Sequence, residues 1–165
     1  MKQLVLMLLA AFLLGGCAQT SGSAAGDNVL PAQTLYVSPQ CGSLEQPALL
    51  WIASAEGWRF HYGQVMNLRM NPPVPPPVDF PREGVLLLAM GQRPSAGYGL
   101  NLIGDTVAIQ DGVLTVRVAW REPPPGYRQA QVNSNPCLLL KLPEANFSRF
   151  QVLDQDGQSR LEGRR

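Results

Sequence analysis

Hydrophobic and polar positions alternate most regularly over Val113–Arg121, where Leu114, Val116, Val118 and Trp120 share one parity and Thr115, Arg117, Ala119 and Arg121 the other. Successive strand residues point to opposite faces, so the pattern predicts a strand with one face in a core and one in water. Val107–Gln110 precedes it across Asp111-Gly112, a pair suited to the two positive-φ positions of a two-residue hairpin turn. Val85–Met90 is a continuous apolar run, as in a strand buried on both faces. Shorter apolar or alternating stretches at Leu35–Val37, Ala48–Ala53, Tyr98–Leu102, Cys137–Leu142 and Phe150–Leu153 are bounded by turn residues and predict further strands.

Two segments break this rhythm. In Ser54–Met70, Trp58, Tyr62, Val65 or Met66, and Arg69 have helical spacing after a candidate Ser54 cap, while Trp58, Phe60 and Tyr62 alternate with Arg59 and His61 as in a strand. Gly57 and Gly63 weaken a helix, and periodicity alone leaves both readings open. Asn71–Pro81 contains six prolines, which lack N–H donors, so it predicts an extended connector outside any central strand. With 15 prolines and 16 glycines in 165 residues, the chain is a mainly β protein and not a helical bundle.

The amino terminus reads as a leader: Lys2, an apolar run Leu4–Leu14, then Gly15, Gly16 and Cys17. The run is shorter than the roughly 17–25 residues of a spanning helix. Leu14-Gly15-Gly16-Cys17 resembles the lipobox of bacterial lipoproteins, which implies cleavage before Cys17, acylation of its thiol and a membrane anchor. Ala18 in place of Asp implies the outer membrane, with the chain facing the periplasm. The expected organisation is a signal peptide over 1–16, a lipidated flexible tether over 17–28, one β-rich domain over 29–158 and a frayed, arginine-rich tail over 159–165.

The formal net charge is +1, too little basic surplus for a nucleic-acid binder. Cys41 and Cys137 remain as an even pair in an oxidising compartment, either bonded to each other or separately buried. Two distant cysteines and the single His61 lack the ligand spacing of a metal site, and nothing points to a small-molecule cofactor. Ser95 is outside a Gly-x-Ser-x-Gly elbow and has only His61 as a possible base. Asp79 reads as the brace of a turn before the Val85 strand. No catalytic set is legible, so function is expected to rest on binding. Arg93, Pro94, Ser95, Gly97 and Tyr98 form the candidate contact loop, since a proline-stiffened, glycine-jointed turn with an Arg and an aromatic offers contacts at low ordering cost; the same residues also suit a plain tight turn.

Val78-Asp79-Phe80, the segment Met90-Gly91-Gln92-Arg93-Pro94-Ser95-Ala96-Gly97-Tyr98, Glu122-Pro123-Pro124-Pro125-Gly126 and Asn135-Pro136-Cys137 occur in an order that resembles the C-terminal domain of the PrcB family. These are accessory subunits that stabilise a secreted subtilisin-like protease complex. The resemblance covers about residues 50–143. Ser95-Ala96 replaces the family's Thr-Gly at the loop tip, and Cys137 stands where the family usually has an aromatic residue. It implies a helix over Ser54–Met70, hence an α+β, mainly β fold: an antiparallel sheet or sandwich of short strands with one helix packed on it. It also implies a non-catalytic accessory, stabilising or inhibitory partner of a protease or other envelope protein. The alternative is a structural envelope lipoprotein with no protease partner.

Overall fold

The computed structural model describes residues 28–165; the leader, Cys17 and the expected tether up to residue 27 lie outside them. The described chain forms β1 (Asn28–Pro31), β2 (Gln33–Ser38), β3 (Pro47–Ile52), α1 (Ala55–Met66), β4 (Glu83–Met90), β5 (Gly99–Leu102), β6 (Thr106–Gln110), β7 (Val113–Arg121), β8 (Cys137–Pro143), β9 (Arg149–Leu153) and β10 (Ser159–Arg164). One sheet runs β1-β6-β7-β9-β10 with β5 on the second half of β7, and the other runs β2-β8-β4-β3. Pairing is antiparallel throughout except between β7 and β9.

The two sheets and the helix stack as three layers. Leu86, Leu88, Met90, Leu138, Leu140 and Leu142 share one core with Val107, Leu114, Val116, Val118, Phe150 and Val152 of the other sheet. Residues of the opposite parity, Val85, Leu87, Ala89 and Leu139, pack instead with Trp58, Tyr62, Val65 and Met66 of α1. β4 is therefore covered on both faces, which is the physical reason for its unbroken apolar run.

The helical reading of Ser54–Met70 holds for Ala55–Met66, with residues 67–70 in turn and coil beyond its end. Ser54 is extended and its Oγ accepts from Gly57 N–H at 3.1 Å, capping the first turn. The buried residues fall at helical spacing, whereas Phe60, which strand alternation would place beside Trp58 and Tyr62, is 62% exposed. Most of the proline segment is ordered coil against this helix: Trp58 Nε1–H donates to Pro76 O at 3.0 Å. Asp79 braces the following turn, its carbonyl accepting from Arg82 and Glu83 N–H. In the β6–β7 hairpin Asp111 (φ 50°) and Gly112 (φ 72°) take the positive-φ positions.

The expected frayed tail is corrected. Ser159–Arg164 is β10, paired along β9, and Asp154 knots the turn that returns it. The Asp154 carboxylate is fully buried and accepts from the N–H groups of Asp156 and Gln158, both at 2.9 Å, and from Arg160 Nε at 2.7 Å. Arg165 is held by Glu144 and by the carbonyl of Ala145. Two of the three arginines that read as a solvated tail, Arg160 and Arg165, are thus partners of acceptors in the fold. The domain also begins earlier than expected: β1 starts at Asn28, inside the expected tether, and pairs with β6.

Burial acts to raise the Asp154 pKa but is outweighed by the Gln158 N–H, the Arg160 bond, the Asp156 N–H and the charge of Arg160, leaving it below the usual carboxylate value. A depressed folded pKa contributes stability that is present above the unfolded value of about 3.9 and is lost as pH falls through the folded one. Asp154→Asn is therefore expected to lower the melting temperature at neutral pH and to flatten its decline below about pH 4. Parallel melting-temperature profiles for the two proteins would contradict this role.

Candidate functional site

β7 divides the molecule into two ends. At its start lies the Asp111-Gly112 turn; at its finish, about 27 Å away for nine residues in a strand, lie three connectors. These are 39–46 between β2 and β3, 91–98 between β4 and β5, and 122–136 between β7 and β8.

The connectors are tied into one platform although none contains a named element. Arg93 N–H donates to Ser134 O at 2.7 Å and Ser134 N–H returns to Arg93 O at 2.9 Å. Ser134 Oγ–H donates to Ser95 O at 2.9 Å, and Ala96 N–H to Ala130 O at 3.0 Å. On the other side Cys41 N–H donates to Asn135 O, Asn135 N–H to Pro39 O, and the buried Asn135 amide to Gly42 O at 3.1 Å. Beneath these bonds a disulfide joins Cys41 to Cys137, with Cα atoms 5.9 Å apart and both residues fully buried between β8 and α1. The bonded alternative for the two cysteines is the one realised.

Each residue of the expected contact loop has a place here. Arg93 is half-buried; its guanidinium carbon lies 5.7 Å from the centre of the Tyr98 ring, and its Nε is buried without a hydrogen-bond partner among the described residues. Pro94 is exposed, while Ser95 is half-buried with its Oγ–H donating to Ala96 O. Gly97 has φ +94°, and a Cβ there would sit 3.1 Å from Pro123 and 3.2 Å from Gln129. So the loop is both a glycine-dependent turn and one wall of a larger surface. Half-buried Tyr98 separates two clefts, one lined by Pro123, Tyr127, Arg128 and Gln129, the other by Gln40, Arg121 and Val132.

What sequence reasoning missed is the second wall. Tyr127 is 71% and Val132 54% exposed on the 122–136 connector. The signal was present in Pro123-Pro124-Pro125-Gly126-Tyr127-Arg128, an aromatic and a cation on a proline-stiffened turn. Arg93, Arg121 and Arg128 make no ion pair within 4.0 Å among the described residues, so this end presents cations and aromatics together. Ser95 and His61 are not hydrogen-bonded to each other. His61 is on α1 with its Nδ1 3.0 Å from Gln64 Oε1.

Fold and platform together define a loop-presenting β-sandwich backed by one helix. Residues 85–143 match the family model described as PrcB C-terminal, the segment that runs from β4 to β8 and includes both walls of the platform. The helix and Val78-Asp79-Phe80, included in the resemblance seen in the sequence, lie before the matched residues. No curated protein and no solved structure matches the chain.

Proposed function

We propose that this protein is a lipid-anchored envelope accessory factor whose loop end binds a protease, or another envelope protein, without turning over a substrate. The observation that carries the reading is the coincidence of the PrcB C-terminal match with both walls of the platform. The family's name supports association with a protease complex. The chemistry of the platform supports contact: Tyr98, Tyr127 and three arginines are the residue types that dominate binding energy at protein interfaces, and the disulfide and cross-loop hydrogen bonds lower the ordering cost of presenting them.

The anchor is a separate part of the proposal, supported by the leader and Leu14-Gly15-Gly16-Cys17. Several acyl chains on one residue would hold the protein stably, since each buried CH₂ contributes about 0.8 kcal/mol. In cells fed a labelled fatty acid, the wild-type chain is expected to carry label and Cys17→Ser to carry none. The same cells test the partner: a protease should co-purify from solubilised envelopes with the wild-type chain. Label persisting on Cys17→Ser removes the anchor, and recovery of the chain alone from wild-type envelopes removes the protease partner.

A further inference from the structure

At the end opposite the platform, Arg149 of β9 and Arg164 of β10 are direct cross-strand partners. Residues so paired project from the same face with Cβ atoms about 4.5–5.5 Å apart, and like charges in that position repel. Phe150 and Val152 point into the core, so Arg149 and Arg164 point outward. Four cations are compensated, Arg82 by Asp79, Lys141 by Glu83, Arg160 by Asp154 and Arg165 by Glu144, and what sets Arg149 and Arg164 apart from the other arginines is that they are paired with each other across two strands. Arg149 and Arg164 have no carboxylate within 4.0 Å among the described residues. Both line an open cleft of ≈ 590 Å³ with Val113, Gln151 and Glu162, and the Glu162 carboxylate is engaged by Ser159 Oγ–H at 2.9 Å. Two cross-strand arginines against the one carboxylate of Glu162, neither of them ion-paired with it, leave the cleft an excess of positive charge that matches an external anion with several oxygens, of which phosphate is the best fit.

The path of the chain says where such an anion lies. Asn28 pairs with Ile109, Ile109 with Leu114, Leu114 with Phe150 and Phe150 with Gly163, a single row across the sheet. β1 runs antiparallel to β6, so the chain arriving at Asn28 comes from the Asp111-Gly112 end, where Arg149 and Arg164 sit one residue further out. Cys17 is eleven residues before Asn28, a span of at most about 40 Å.

We propose that Arg149 and Arg164 form a phosphate site that holds phospholipid headgroups at the membrane to which Cys17 tethers the chain. The lipid source rests on the lipoprotein reading; the anion site itself does not. Headgroup contact at this end turns the platform, about 27 Å away along β7, outward from the bilayer.

The test uses the chain from residue 17 with Cys17→Ser, which retains every element from β1 to β10 and cannot be acylated, so its outcome is independent of fatty-acid labelling. Its partition is measured onto vesicles of phosphatidylcholine alone and of phosphatidylcholine with phosphatidylglycerol. Binding is expected only with phosphatidylglycerol, falling as salt rises, and about thirtyfold weaker for Arg149→Gln/Arg164→Gln, given about 1 kcal/mol per arginine near an anionic surface. An unchanged near-ultraviolet circular dichroism spectrum checks that the double variant is folded. Equal binding to both vesicles, or equal binding by both proteins, overturns the proposal. If inorganic phosphate shifts the Arg149 and Arg164 Nε–H resonances while phosphatidylglycerol vesicles do not, the site holds free anions and the membrane assignment falls.

Discussion

Replacing Cys41 and Cys137 together by alanine is expected to cost about 4 kcal/mol of unfolding free energy, the largest effect of any change at the platform. The bridge links residues 96 apart, and in the chain-entropy model a closed loop of that size removes more freedom from the unfolded chain than a short one does. Both cysteines are buried beside Val85, Leu87 and α1, so the alanine pair also leaves a small void. The double variant avoids a stranded thiol. Urea unfolding of the double variant, and of wild type under reductant, should give curves that both lie well below that of the oxidised protein. A loss under about 1 kcal/mol would mean that the cross-loop hydrogen bonds hold the platform without the staple.

Gly91→Ala is expected to cost about 3 kcal/mol, far more than a substitution at exposed Gln92 beside it, because two penalties add at one atom. Gly91 has φ +75°, and a Cβ there would lie 2.7 Å from the backbone nitrogen of Pro47 and 2.9 Å from the carbonyl carbon of Gln46. Backbone cannot yield as a side-chain tip can. The comparison is Gly97→Ala, with the same sign of φ but only side-chain atoms of Pro123 and Gln129 at 3.1–3.2 Å. There the left-handed backbone penalty of about 1–2 kcal/mol dominates. Thermal unfolding of the two variants ranks them; a Gly97 variant less stable than the Gly91 variant would contradict the contacts described.

The elements with a strong local period were legible in the sequence. Asp111-Gly112 turned as its dipeptide chemistry requires, the alternation over Val113–Arg121 set the two faces of β7, and the parity of Val85–Met90 separated two cores. Two strands were not legible, and for the same reason. Asn28–Pro31 is four residues ending in proline, and Ser159–Arg164 is mostly polar and charged; each is a strand because a distant segment offers it a ladder. The candidate site was half legible. Arg93–Tyr98 stood out by composition, but its tie to Ser134 crosses some forty residues of sequence between two irregular loops, and no periodicity encodes such a bond.

That the protein acts by contact through its loop end is tested most directly by measuring, side by side, the affinity for the captured protease and the melting temperature of wild type, Tyr127→Ala and Arg128→Ala. Both side chains line the cleft beside Tyr98, both residues are exposed, and neither side chain makes a hydrogen bond or ion pair among the described residues. Each substitution should weaken binding by about 1–2 kcal/mol or more, while stability stays within about 0.5 kcal/mol of wild type. Wild-type affinity in both variants would contradict the account and leave the platform as a structural feature of the fold alone.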